Sequence, residues 1–525
     1  MNNPMFFSTS LRVGLLVLGL WGWMSTMTSA APVASSVLPA AQAEKGDEAA
    51  LSLTMADCIT RALSKNLDIS IQRITPMIAA SQTLSARGIY DPNLQLQAQY
   101  GASEYQTSFN TLSSTSTQSS SYSGSLSQLT PIGTQLSFIV NSASTQDNVS
   151  YLGAEYTSFS GVNVTQPLLR NFGSDVTEAQ IRIALRGEAA AGAEFLSQVQ
   201  QIISNVASAY YELMYARDSL ATQEKSLSLA QELLDDNKIR FKIGTMTPLD
   251  VSQASAEVAT RRSAVLQARQ ALTEQENTLK RLITDDFVSM ADQRIIPLDQ
   301  PAVDLQGKPA LEDMQAALRN RPDYREAIER AEQSKIQLVY NQNQVLPQLN
   351  LNASYGFGGL GTNLTQSFNT VTSTDYPQWY VGFSVQVPIG NRAAEGQRDA
   401  AKLQKLQALL QIKKLEQDIL VQVNNASTQV KTNQERVGVS STATAYSKDA
   451  LDAEQHKLTA GATTTYTVLQ MQRDLAQAET DELRAIADLR ISQVELYRVE
   501  GLTLRVYHVV LDSNSAAQNA IPKKQ

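Results

Sequence analysis

Apolar residues recur at helical spacing over an unusually long part of the first half of the chain, as in Val199, Ile202, Ile203, Val206, Tyr210 and Leu213. No proline interrupts the stretch between Pro167 and Pro248. The pattern therefore predicts a helix from Ser174 to Lys242, roughly 70 residues and on the order of 100 Å long. Lys238, Arg240 and Lys242 fill its last turn, where they complement the exposed carbonyls, and Gly244 supplies the left-handed cap residue. A return helix follows, with Thr247 as N-cap, Pro248 at the first helical position and Asp250 in the first turn, and runs to Ile283. The second half repeats the arrangement: a proline-free periodic run from Ala393 to Leu458, a break at Ala460, Gly461 and Ala462, and a return helix over Thr464–Glu500. Rods of this length far exceed an ordinary globular helix.

Elsewhere the period changes to two. Pro92 and Pro347 each open an alternating stretch, Leu94, Leu96, Ala98, Tyr100 in one and Leu349, Leu351, Ala353, Tyr355 in the other. The two stretches align without a gap, and the helices before them match as well, with Ala62, Leu63 and Asp68 opposite Ala317, Leu318 and Asp323. This is an internal repeat. The first of these helices spans Leu53–Arg87, opens on Thr54 and Asp57, and carries Pro76 as a kink or break. Closing strands correspond too, Val162–Pro167 with Phe383–Pro388. The spacing of Gly244 and Gly461 leaves about 38 extra residues in the first half. They fall in a Ser/Thr-rich stretch, 107–127, that reads as a loop, followed by a turn at Pro131–Gly133 and a short strand through Phe138 and Val140. In the second half Gly358–Thr374 reads as a shorter polar loop. Each repeat is then helix, strand, strand, long helix, turn, helix, with about four main strands in all.

The N-terminus adds a compartment. Arg12, an apolar core from Val13 to Trp23 and the small residues Thr28, Ser29 and Ala30 form a secretory signal with cleavage near Ala30 or Ala31. Its core of about 11 residues is short of the roughly 20 a spanning helix needs. No later run of 18 apolar residues occurs, so a membrane could be entered only as a closed β-barrel. Cys58 is the single cysteine of the chain, which excludes an intrachain disulfide. It lies too far from the signal for a lipid anchor and reads as a buried apolar residue. A net charge of −8 over 525 residues argues against nucleic acid as a partner.

The strands themselves allow two readings. Val381, Phe383, Val385 and Val387 on one side, with Gly382, Ser384 and Gln386 on the other, suit a wall between lipid and water or an ordinary soluble sheet. Tyr90, Tyr100, Tyr151, Tyr156, Phe159, Trp379 and Tyr380 gather near strand ends as interface girdles do. About four strands cannot close a barrel, and open edges are not tolerated in lipid, so a barrel would be shared between chains.

The duplicated order, the Pro-led strands, the Gln166, Pro167, Leu168, Leu169 exit from the sheet and the Gly244 and Gly461 turns resemble the TolC-type outer-membrane efflux family, from Leu53 to about Leu502. The resemblance implies an internally duplicated α+β membrane protein in the outer membrane of a Gram-negative envelope. In it a long α-helical barrel continues a transmembrane β-barrel of about twelve strands shared by a homotrimer. It further implies an exit duct for efflux or type I secretion, working with a periplasmic adaptor protein and an inner-membrane pump. The two helix turns become the periplasmic tip. Gly244, Thr245, Pro248 and Leu249, with Gly461, Thr464, Thr465 and Tyr466, are the expected adaptor contacts, and Asp250, Thr467 and Gln470 the expected gate. Three copies of Asp250 would make a carboxylate ring; the same residue also suits plain helix capping. Well-known members carry an Arg and two Asp at the second turn. Here Thr463, Thr467 and Gln470 stand in those places, so a closed tip would rely on hydrogen bonds or packing.

Catalytic chemistry finds no foothold. His456 and His508 are a distant pair, neither a metal cluster nor an acid-base set, and Gly358, Gly359 and Gly361 lack the Lys and Ser/Thr of a phosphate loop. No cofactor, metal or catalytic residue is expected. The alternative to a duct is a non-conducting trimeric rod, structural or adhesive, whose coiled coils space a surface module from the membrane. A hollow helical barrel needs contacts on both flanks and a polar lumen, which Ala189, Ala190, Ala191 and Ala193 and the abundant Gln, Ser and Thr suit. The chain divides into a signal (1–30), a flexible leader (31–52), a first repeat (53–285), a linker (286–310), a second repeat (311–501) and a polar tail (502–525).

Overall fold

The computed structural model describes residues 50–106, 114–147, 154–299 and 310–510. The expected signal, nearly all of the leader and the Asp512–Gln525 tail lie outside them. A short strand, β1 (Ala50–Leu53), leads into α1 (Met55–Lys65), whose start is fixed by a capping box between Thr54 and Asp57. Next comes α2 (Leu67–Arg87). The expected single helix is thus broken at Asn66 rather than Pro76, because Asn66 ends α1 and its side-chain oxygen accepts the Ile69 N–H, starting α2 afresh. Pro76 lies inside α2, with no N–H for the carbonyl four residues back, and the helix runs through it.

Four strands follow: β2 (Asn93–Gln106), β3 (Ser114–Leu129), β4 (Gln135–Asp147) and β5 (Glu155–Pro167). A single turn, α3 (Ser174–Thr177), precedes the 64-residue α4 (Ala179–Lys242), about 96 Å long. The return helix α5 (Pro248–Ile283) leads to α6 (Phe287–Met290) and β6 (Arg294–Pro297). The second half runs α7 (Ala310–Asn320), α8 (Pro322–Gln344), β7 (Gln348–Gly361), α9 (Leu364–Thr372) and β8 (Pro377–Gln386). It closes with the 68-residue α10 (Arg392–Thr459), α11 (Thr465–Val499) and α12 (Thr503–Val506).

One antiparallel sheet of six strands takes the order β2-β3-β4-β5-β7-β8: the four main strands, β4 where the short strand through Phe138 and Val140 is expected, and β3 besides. The Ser/Thr-rich stretch expected as a loop is the 16-residue β3. Its serines alternate with Tyr122, Gly124 and Leu126, and these share a face with Ala98, Leu96 and Leu94 across the β2 ladder. The polar segment expected as a loop after Gly358 also differs. There β7 continues to Gly361, and Asn363 then caps α9 through the Gln366 N–H.

Pairing sorts the sheet into two faces. Leu94, Leu126, Phe138, Val162, Tyr355 and Trp379 lie on one, and Gln97, Ser123, Asn163, Asn352 and Ser384 on the other. Helix α9 rests on the apolar face. A Cβ at Gly359 would stand 2.1 Å from the Ser367 carbonyl oxygen, so only glycine permits this approach, and the Ser367, Ser158 and Ser142 hydroxyls are bonded in series at 2.7 and 2.8 Å.

Helices continue the strands. Helix α2 packs on α4, α4 on α8, and α8 on α10, which leaves α2 with β2 on one flank of the protomer and α10 with β8 on the other. Both flanks expose apolar rows, Leu67, Ile71, Ile74 and Ile78 on α2 and Leu403, Leu406 and Leu410 on α10. Part-way along α4 lies the main core, where Ile203, Val206, Tyr210 and Leu213 pack against Cys58, Ile69, Leu279 and Ile295. The parallel β1–β6 pair seals this core; β6 falls in the stretch read as a linker. Asn66 donates to the Leu282 carbonyl (2.9 Å), and Arg321, at the matching junction of the second half, to the Val499 carbonyl (3.4 Å). Burial pushes the Cys58 thiol up to about 12. Iodoacetamide at pH 8 is therefore expected to leave Cys58 unmodified in the folded protein and to alkylate it after denaturation, which mass spectrometry reads directly.

Candidate functional site at the helix-hairpin tip

Helices α4 and α10 end in the same backbone device. Gly244 takes φ +81° and donates to the Phe241 carbonyl (3.0 Å), while the Thr245 N–H returns to the Arg240 carbonyl (2.9 Å). Gly461 takes φ +72°, with its N–H on Leu458 (3.1 Å) and the Ala462 N–H on Lys457 (2.8 Å). The paired bonds satisfy carbonyls that a helix end leaves open, and the positive φ favours glycine. No atom lies within 4 Å of a Cβ built at either position, so the demand is conformational rather than steric.

The return helices start differently. Thr247 and Asp250 close a capping box: one Asp250 oxygen accepts the Thr247 N–H (3.0 Å) and hydroxyl (2.6 Å), and the Asp250 N–H reaches the Thr247 hydroxyl at 3.3 Å. In α11 Thr464 accepts the Thr467 N–H at 3.4 Å, and the two hydroxyls stand 3.1 Å apart. Thr467 thus occupies, six residues past its glycine, the place Asp250 occupies past Gly244. One turn carries a carboxylate in its first helical turn and the other does not.

Gly244, Thr245, Pro248, Leu249, Gly461, Thr464, Tyr466 and Gln470 are exposed, and Asp250 and Thr467 half-exposed. Thr465 is buried, its hydroxyl 3.9 Å from the Met246 sulfur, and joins the two hairpins instead of facing outward. Behind it Leu451, Leu458, Val468 and Leu475 form an apolar plug completed by Met246 and Met471.

Above the plug lies a charge cluster that the sequence pattern does not single out. Arg261 Nε donates to Glu257 Oε1 at 2.9 Å, with both side chains only 10% exposed, and Arg473 of α11 approaches the same oxygen at 3.8 Å. Further up, Arg484 of α11 holds Glu212 of α4 through two bonds (2.7 and 3.0 Å) and lies over the Tyr215 ring at 5.1 Å. Between α4 and the α10–α11 pair, a cavity of about 230 Å³ is lined by Arg240, Leu458, Gln472 and Asn237. Asn237 is buried, and among the described residues neither polar atom of its side chain has a hydrogen-bond partner. Glu454, beside the second turn, is held below the usual carboxylate range by hydrogen bonds from Lys457 and Thr463.

Two hairpins of about 50 to 100 Å, a six-stranded sheet with one apolar face and a shared tip describe a known architecture. The model of the family described as outer membrane efflux protein matches residues 58–284 and 314–502. The chain belongs to the outer membrane efflux protein family. A relative from Pseudomonas putida, probable efflux pump outer membrane protein TtgC, is 22% identical over 358 residues, covering 68% of this chain and 71% of its own. Among solved structures, the outer-membrane channel OprN superposes with a TM-score of 0.66 at 18% identity, over 85% of this chain and 89% of that one. VceC from Vibrio cholerae gives 0.64 at 18%, over 85% and 96%. This outer membrane efflux protein is accordingly placed in the outer membrane and extends into the periplasm. Its described helices include none long and apolar enough to span a bilayer.

Proposed function

We propose that three copies of the chain assemble into an exit duct that receives substrates from an inner-membrane pump through a periplasmic adaptor and releases them outside the cell. The observation that carries this reading is the two-faced sheet: a wall between lipid and water needs one apolar and one hydrogen-bonding face, whereas a solid rod needs no polar face. The exposed apolar rows on α2 and α10 support it, since they lie on opposite flanks and suit a head-to-tail ring. The matched junctions at Asn66 and Arg321 agree with an internal duplication that gives the ring quasi-repeated subunits.

In this assembly the exposed Gly244, Thr245, Pro248 and Leu249 and Gly461, Thr464 and Tyr466 meet the adaptor, with the cavity at Asn237 as the place where a partner's polar side chain is accepted. Asp250, Thr467 and Gln470 face the narrowing axis. Single-channel recording of the purified protein in a planar bilayer, with oligomeric mass measured on the same sample, tests the duct. A trimer with cation-selective openings is expected, and a folded, inserted trimer that never conducts would sink the reading. Asp250→Asn keeps an acceptor for the Thr247 N–H and removes the charge, while Asp250→Ala removes both. Selectivity lost in both variants assigns a charge ring at the tip; selectivity retained in Asp250→Asn assigns Asp250 to helix capping alone.

A further inference from the structure

The six strands raise a question of width. Strands β3 and β4 lie between β2 and β5 in an unbroken ladder, from Asn93 opposite Ser127 through to Thr165 opposite Gln135. They have 16 and 13 residues, and even the shortest strand of the sheet, β8, has 10, so each reaches the roughly 9–11 residues a tilted strand needs to cross a bilayer. From Tyr122 to Leu126 and from Leu136 to Val140 their faces obey the same rule as the rest, with Ser123, Ser125, Ser137 and Asn141 on the polar side; farther along, the apolar-side rows continue in Ser120, Ser142 and Ser144, whose hydroxyls are bonded to one another or to Ser158. A hairpin folded outside the wall would need neither this length nor this alternation.

We propose that the β3–β4 hairpin is part of the barrel wall, and that the trimer closes as an eighteen-stranded barrel by pairing the free edge of β2 in one copy with the free edge of β8 in the next. This rests on the trimeric duct proposed above. Six strands per copy is an even number, so β2 and β8 run in opposite directions and every junction between copies is antiparallel. An open edge of 14 residues on β2 has no other way to satisfy its backbone groups in lipid.

The dimensions of the helical part agree. Strands about 4.8 Å apart, tilted by about 40°, give a ring roughly 36 Å across for eighteen strands and roughly 24 Å for twelve. Helices α2, α4, α8 and α10 adjoin the sheet in each copy, and twelve helices about 9–10 Å apart form a ring of roughly 35–38 Å. The extra hairpin lets the sheet leave the helical tunnel without narrowing. The mouth is then about 1.5 times as wide as that of a twelve-stranded barrel, and takes correspondingly larger cargo.

Electron cryo-microscopy of the full-length protein in lipid nanodiscs counts the strands directly. Eighteen strands around a threefold axis are expected. A trimeric barrel of twelve strands, with residues 114–147 lying outside the wall, would overturn the proposal and leave the duct intact; absence of a trimeric barrel would overturn both. Deleting residues 114–147 joins β2 to β5 through residues 107–113 and 148–153 and is expected to lower the polymer-exclusion limit at the extracellular mouth by at least about 1.5-fold in diameter. An unchanged limit in a conducting trimer of the deletion variant would equally overturn it.

Discussion

Replacing Glu257 with alanine is expected to release the tip and to raise the open probability of the proposed duct well above that of wild type. Glu257 is the carboxylate that two guanidinium groups share where α5 meets α11: Arg261 at 2.9 Å and Arg473 at 3.8 Å. Without it Arg261 is left as an unpaired cation with a side chain only 10% exposed. Removing one partner of such a buried pair costs about 3–5 kcal/mol, because the remaining charge is out of water and uncompensated. Moving α5 and α11 apart hydrates both arginines at once, and the Met246–Thr465 contact below them gives way in the same movement. Arg473→Gln is the control. Its side chain is 45% exposed and its contact long, so solvent screening leaves less than about 1 kcal/mol at stake and the resting conductance is expected to stay near wild type. Planar-bilayer open probability separates the two, and a Glu257→Ala channel as closed as wild type would show that the cluster does not hold the tip.

The ends of the long helices were legible in the sequence because their chemistry is local. Gly244 and Gly461 take positive φ, Thr247 and Pro248 begin α5 as their side chains dictate, and Thr464 begins α11. The helix pair α1–α2 was less legible, since proline is the louder signal and Asn66 breaks the helix through one hydrogen bond to Ile69. Strand β3 reads as a loop for a compositional reason. Serine serves loops and sheet faces alike, and only Tyr122, Gly124 and Leu126 betray the period of two. Strand β6 makes sense only beside β1, and nothing in Arg294–Pro297 alone announces a partner more than 200 residues earlier. The tip follows the same logic. Its exposed turn residues could be named from the sequence, whereas Glu257, Arg261 and Arg473 become a cluster only once α5 and α11 are packed, because an opposite-charge pair four residues apart is usually a solvated surface feature.

Tyr210→Ala is expected to lower the unfolding free energy of the helical domain by about 3–5 kcal/mol, read by urea denaturation followed by circular dichroism. Tyr210 is wholly buried at the centre of the main core, and its hydroxyl donates within reach of the Leu53 carbonyl (3.2 Å) and Asp299 Oδ2 (3.0 Å), tying α4 to the C-terminal end of the parallel β1–β6 pair. Packing, not these hydrogen bonds, supplies most of the effect. The Leu53 carbonyl also accepts the Leu298 N–H at 3.1 Å, and Asp299 Oδ2 also accepts the Met55 N–H at 2.7 Å, so neither acceptor is orphaned when the hydroxyl goes; the Asp299 N–H, which donates to the Tyr210 oxygen at 3.3 Å, belongs to an exposed residue and turns to water instead. Tyr210→Phe keeps the ring and is therefore expected to cost only about 1 kcal/mol. Alanine instead leaves a cavity among Ile203, Val206 and Leu213 that α4, held at both ends by its hairpin and its strand, cannot collapse to fill. Should phenylalanine prove as damaging as alanine, the clasp between α4 and the β1–β6 pair would depend on the hydroxyl, and the core would matter less than its seal.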